Sequence, residues 1–310
     1  MASILRFARK AEKPVTALPG DALSAFLSGF SIEVMPRTAA KIADFRDILP
    51  PETRVYVAHI EGTPIGDMVL TARRLVEEGF VAMPHFPARV IKDRATLQDW
   101  IQRYKDVGVE QALVLAGGVS RPIGDYSDSM QLLETGLFDA FGFKRVHVAG
   151  HPEGNRDTDP SGGDGNVMKA LHWKNDFQSR TDATMAIATQ FVFEANPVIK
   201  WADRLRDEGI TLPIHIGIAG PAKLQTMIKF AMACGVGPSM RVLQRRATDV
   251  TKLMLPFTPD GILGDLAAYN AAHPESNIEK VHFFPLGGIA KTTDYVGERL
   301  HPAKGSAARA

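Results

Sequence analysis

Eight short runs rich in β-branched and aromatic residues recur along the chain, and the segments between them carry helical apolar spacing. The runs fall at 30–35, 53–60, 80–86, 111–118, 145–151, 184–193, 213–220 and 281–288. Helical spacing marks 38–49, 65–79, 94–108, 127–142, 167–182, 195–209, 222–235 and 259–272, with an extra helical stretch at 238–254. Gly79, Gly108 and Gly209 stand where helices of this spacing need a C-cap. Strict alternation of strand and helix implies parallel strands joined by helical crossovers. The run QALVLAGG at 111–118 is almost purely apolar, as expected of a strand covered on both faces. Eight such units predict a closed (β/α)8 barrel, α/β in class and a single domain spanning 21–298, rather than an open doubly wound sheet. No GxGxxG follows the first strand, which points the same way. Residues 1–20, basic and punctuated by proline, read as a flexible N-terminal arm, and 299–310 as a disordered tail.

Composition narrows the partners. The net charge of +1 gives no basic or acidic surface for nucleic acid or a membrane, and no apolar run reaches the length of a span. Cys234 is the only cysteine, which excludes an intrachain disulfide and a multi-cysteine metal site. The N-terminus, MASILRFARKAEKP, carries charges where a signal peptide needs its apolar core, so the cytoplasm is the expected compartment. A homo-oligomer is left open, because the outer helices of a barrel can pack in many ways.

In such a barrel the chemistry sits at the C-terminal ends of the strands. Those ends carry Glu33, His59, His85, Gly117 and Gly118, His151 and Glu153, Gln190, Gly217 and Gly220, then Gly287 and Gly288. Small residues there leave room for a large planar ligand, although any one glycine can simply serve a tight turn. Glu33 lies inside the apolar run Phe30–Met35, so its carboxylate is either paired with a basic neighbour or kept protonated and ready to donate. His147 and His151 share strand parity, but without a third ligand they read as core or rim histidines and no metal is expected. Ser161–Gly165 could cradle a phosphate through backbone N–H groups, but it lacks the Lys-Ser/Thr ending of a P-loop and reads better as a flexible loop. Lys174 could reach a phosphate or be a solvated charge; Tyr126 and Trp173 could flank a ring system or pack.

In order along the chain, SIEVMPR, MPHF, LVLAGG, AGHPEG, ATQFVF and PIHIGIAG resemble methylenetetrahydrofolate reductase. The family forms are approximately SFEFFPPR, APHLTC, a strand ending in RGD, a YPE turn, ITQFFFD and PIxxGI. The resemblance covers about 30–235 and continues more weakly to 290. It implies an FAD-bearing barrel that exchanges a hydride with a folate, interconverting 5,10-methylenetetrahydrofolate and 5-methyltetrahydrofolate. Glu33 matches the general acid that activates the methylene bridge, and Gln190 the residue that hydrogen-bonds the pterin. His85, Tyr126 and Lys174 match positions that contact FAD, and Gly117, Gly118 and His151 stand at altered positions of the same cofactor rim.

The departures bear on electron flow. Ala116-Gly117-Gly118 replaces RGD, removing an Arg and an Asp near the flavin, and His151 replaces the Tyr of the YPE turn. Loss of a negative charge beside the isoalloxazine should raise its potential. Leu224 aligns where many members carry a Phe that stacks on nicotinamide; it offers no stacking face, which argues against NADH as the electron donor. Three readings follow: a reductase in one-carbon and methionine metabolism; the same chemistry run mainly as 5-methyltetrahydrofolate oxidation with another acceptor; or a folate- or flavin-binding paralogue without turnover.

Overall fold

The computed structural model describes residues 20–233 and 256–301. Eight parallel strands close into a barrel in chain order: β1 Ser31–Val34, β2 Arg54–Val57, β3 Val81–Pro87, β4 Gln111–Leu115, β5 Arg145–Gly150, β6 Thr184–Val192, β7 Ile214–Ala219 and β8 Ile278–Phe284. β8 returns to pair with β1, Ser31 opposite His282. The expected (β/α)8 barrel, a single domain, is what the chain forms.

Strand parity sorts the side chains. Ile32, Val34, Val55, Val57, Val146, Val148, Ile214, Ile216 and Ile218 turn outward into one continuous core beneath the helices. Full burial of an aliphatic side chain of this kind contributes about 1.5–3 kcal/mol, so this layer between barrel and helices dominates the fold's stability. The helices that cover it are α1 Gly20–Leu27, α2 Pro36–Ala39, α3 Ile65–Glu77, α4 Arg94–Lys105, α5 Ser129–Glu134, α6 Leu137–Ala140, α7 Gly165–Phe177, α8 Ala195–Asp207, α9 Leu224–Ala233, α10 Asp260–Ala272 and α11 Ile289–Leu300.

Four differences from the sequence expectation have local causes. The 38–49 helix is instead the single turn α2 and a 3-10 turn, Phe45–Asp47. Asp44 takes the N–H of Arg46, and Arg74 from α3 ties down the carbonyls of Ala39 and Ala43, so the chain between is held by side chains rather than a helical ladder. The 127–142 helix breaks at Gly136, whose φ of 68° is left-handed. The last strand runs Ile278–Phe284, three residues earlier than expected at its start and four at its end, where Pro285 stops it because proline cannot extend the ladder. Helices α1 and α11 were not foreseen; they pack on each other and on α10, and Ser24 Oγ donates to the Leu300 carbonyl at 3.2 Å. Thus Arg299 and Leu300 finish a barrel helix. The expected arm, apart from Gly20, the helical stretch at 238–254, Cys234 and the tail from 302 onward lie outside the described residues. Among those residues, no helix is long and apolar enough to cross a membrane.

Candidate active site

Inward parity places a polar column where a barrel of this class usually holds aliphatic layers. Ser31 and Glu33 point inward from β1, because Ile32 and Val34 occupy the outward core. Glu33 is 19% exposed, its Oε2 3.4 Å from His85 Nε2 and 4.0 Å from His282 Nε2. Burial pushes this carboxyl up, but the imidazoles of His282 and His85 more than offset it and hold it at about 2. Of the two states the sequence allowed, paired and protonated, the structure therefore shows the paired, ionised one.

His282 was not singled out from the sequence, although it is a polar residue on the inward parity of β8. Its Nδ1 meets Ser31 Oγ at 2.9 Å, and burial lowers its pKa against the pull of Glu33. Tyr56 of β2 lies under it, ring centroids 4.2 Å apart, and hydrogen-bonds His147 Nδ1 at 2.5 Å. His147 is thus a core histidine, fully buried and neutral by desolvation. His59 stacks on Trp100, 5.8 Å between centroids, and burial lowers its pKa too.

Gln190 stands on a β-bulge. Pairing of β6 with β7 slips between Ala188 and Phe191, and the Gln190 amide oxygen accepts the Phe191 N–H at 3.1 Å. Gly217 makes the bulge possible: a Cβ there would lie 2.5 Å from the Thr189 carbonyl oxygen. Its smallness serves backbone approach between strands and leaves no ligand space. Gly220 and Gly287 are likewise packed, against Thr292 and Pro221. At Gly118 a Cβ would meet nothing, and this rim glycine does leave open room.

The residues expected to hold a flavin divide. His85 lies beside Glu33, and Gly117 and Gly118 follow β4 next to it. Lys174 is 6% exposed, its ammonium donating to the Ala149 carbonyl at 3.3 Å and making no other hydrogen bond among the described residues. Burial brings it down to about 8 against the attraction of Asp128. His151 is pushed down to about 4, by burial first and then by the charge of Lys174. A buried cation with one acceptor fits an anionic group of a cofactor. Tyr126 is 9% exposed and packs within the core. Lys174 is accordingly not the solvated charge the sequence left open. Trp173 stacks on Phe177, 5.1 Å between centroids. Leu224 is buried in an apolar cluster with Phe191, Phe193 and Phe257.

Two loops frame the rim. Arg89 donates to the carbonyls of Val119 and Ser127 and pairs with Asp157 at 2.6 Å, tying the loops after β3, β4 and β5 together. Just after the Ser161–Gly165 segment, the Asp159 carboxylate takes the N–H groups of Asn166 and Val167 at the start of α7. No group of three metal-ligating side chains occurs among the described residues.

Fold and site together define a (β/α)8 barrel with an ionised carboxylate, two imidazoles and a carboxamide at its C-terminal mouth. No family model matches the sequence. Among solved structures, the chain is similar to an uncharacterised protein from Clostridium thermocellum that binds two copies of 5-methyl-5,6,7,8-tetrahydrofolic acid. The TM-score is 0.55 at 10% identity, covering 91% of this chain and 99% of that one. Phosphoenolpyruvate phosphomutase from Streptomyces platensis subsp. rosaceus (TM-score 0.41, 11% identity, 86% and 80% covered) and Yersinia pestis DHPS with a pterine-sulfa conjugate (0.42, 11%, 90% and 95%) are more distant. At 10% identity the likeness to the Clostridium thermocellum protein shows the fold alone.

Proposed function

We propose that the C-terminal mouth binds a reduced folate and that the protein interconverts 5,10-methylenetetrahydrofolate and 5-methyltetrahydrofolate by hydride transfer with FAD. The observation that carries this reading is the Glu33–His85–His282 cluster at the end of β1, with Gln190 on the β6 bulge across the same mouth. The order of strand-end motifs that resembles the reductase family supports it. So does the Clostridium thermocellum barrel, which binds 5-methyltetrahydrofolic acid.

Gln190 orients the pterin, its carboxamide matching the donor and acceptor edge of that ring. A pterin covering the mouth strips water from Glu33, and the lost solvation raises its pKa until it takes up a proton. Protonated, Glu33 hands that proton to the folate nitrogen that leaves the methylene carbon; ionised, it takes the proton back in the oxidative direction. His85, Gly117, Gly118, His151 and Lys174 would hold FAD, which would supply the hydride when bound. The cytoplasm is the compartment this reading expects, with folate as the small-molecule partner.

Two observations favour a second reading, folate binding without flavin turnover: the missing Arg and Asp at 116–118, and the Arg89 strap across the loops where a cofactor would lie. A visible spectrum of the purified protein with added FAD, titrated anaerobically, decides between them. Bleaching by 5-methyltetrahydrofolate and not by NADH is the expected result, given Leu224; bleaching by NADH would make it an ordinary reductase. Absence of any flavin band would remove the hydride reading and leave the binding one.

A further inference from the structure

The polar column does not end at Glu33. Below His282 and Ser31, the Ser31 hydroxyl also faces the Tyr56 phenol, which hydrogen-bonds His147 Nδ1. The His147 ring meets the His215 ring edge to face, 4.6 Å between centroids. His215 Nε2 reaches Glu279 Oε2 at 3.0 Å, and Glu279 is 48% exposed at the opposite, N-terminal face. There it opens on a cleft lined by Thr211, Asn270, His273 and Ser276. His147 Nε2 and His215 Nδ1 are both buried without a hydrogen-bond partner, and they belong to adjoining rings. Buried ring nitrogens left unpaired are costly, so two on neighbouring rings point to a proton shared between them, directly or through one water.

We infer that the barrel axis is a proton path joining Glu279 at the N-terminal face to Glu33 at the C-terminal mouth. Its use rests on the folate reaction proposed above: a ligand that covers the mouth cuts Glu33 off from solvent, and the axis resupplies or drains its proton from the far side. The transfer balances with every member neutral. His215 accepts a proton at Nε2 from Glu279 and releases one from Nδ1 to His147 Nε2. His147 releases its Nδ1 proton to Tyr56, Tyr56 its hydroxyl proton to Ser31, Ser31 its own to His282 Nδ1, and His282 its Nε2 proton to Glu33. Each group gains one proton and loses one; one proton leaves Glu279 and one arrives at Glu33. The 4.0 Å between His282 and Glu33 closes by a small side-chain rotation or a bridging water. Arg54 and Arg145 flank the lower half, His85 the upper end, and Lys280 adjoins Glu279. Burial first, and then the positive charge of Arg54, favours the neutral form of the three histidines, and a neutral imidazole can accept at one nitrogen while donating from the other.

The test is solvent exchange of the His147 ring proton, followed by NMR on 15N-histidine-labelled protein in the absence of any ligand. A path open at both ends makes a specific forecast. Glu279→Gln alone and Tyr56→Phe alone each leave one route, so exchange stays within about threefold of the wild type. The double variant isolates His147, and exchange slows at least tenfold. Equal rates in all four proteins, or a slowing in the double variant no greater than the product of the two single effects, would overturn the path. Melting temperatures separate loss of fold from loss of exchange, and His147→Gln repeats the cut by following His282 and His215 if Tyr56→Phe is unstable. Because no substrate enters this measurement, failure of the folate reading shows separately, as an absence of folate binding by the wild type.

Discussion

Glu33 is one residue whose environment can be read as a pH dependence. Its pKa falls from 4.5 to about 2 in the fold, so the stability it contributes is complete above pH 4.5 and lost as pH drops toward 2. Glu33→Gln should flatten that part of the acid-unfolding curve and, if Glu33 carries the proton, cut hydride exchange by roughly 10²–10⁴-fold while the folate still binds. Full activity in that variant would remove the proton role. Lys174 has the opposite signature. Its value of about 8 lies below 10.5, so between those pH values the unfolded chain holds the extra proton and stability rises with pH. Lys174→Met should therefore stabilise the protein at pH 7, by roughly 2–3 kcal/mol for a shift of this size, and abolish the rise between pH 8 and 10.5. If Lys174 holds an anionic cofactor, the same variant loses flavin affinity; thermal melts and flavin titration together separate the two effects.

At the scale of elements, the strands were legible and the breaks between them were not. Apolar runs locate each strand because the outward core needs Ile and Val at every second position, as in Ile214, Ile216 and Ile218. The split of 127–142 at Gly136 and the collapse of 38–49 depend on a left-handed glycine and on Arg74 arriving from another helix, which periodicity does not record. The β6 bulge is the clearest case. It is invisible in ATQFVF, yet it sets Gln190 and explains Gly217 better than ligand space does. Gly217→Ala should cost about 1–3 kcal/mol through overpacking against Thr189 and weaken folate binding by displacing Gln190. Gly118→Ala, with nothing near its Cβ, should leave the melting temperature unchanged. Equal melting temperatures for both variants would contradict the bulge assignment.

For the whole molecule, the barrel followed from alternation, and the location of the site followed from the barrel. What the sequence could not supply was the cross-barrel company of each residue. Glu33 was evident from its odd place in an apolar run, but His282 comes 249 positions later in the chain and reaches Glu33 only because β8 pairs with β1. Inward parity of Ser31, Tyr56, His147 and His282 is the signal that finds this column once the strands are known. Rim loops carry a further whole-molecule effect. Arg89 ties Val119, Ser127 and Asp157 together, so Arg89→Ala should open 117–127 and 152–164 to limited proteolysis while the barrel melts almost unchanged. Cleavage confined to other sites would show that the loops hold without it.

The central claim is that the mouth around Glu33 and Gln190 is a reduced-folate site. Calorimetric titration with 5-methyltetrahydrofolate, wild type beside Gln190→Ala, tests it most directly. The account predicts saturable binding by the wild type and a loss of at least tenfold in the variant, with its melting temperature kept. No binding by the wild type, or equal affinity in the two proteins, would contradict it.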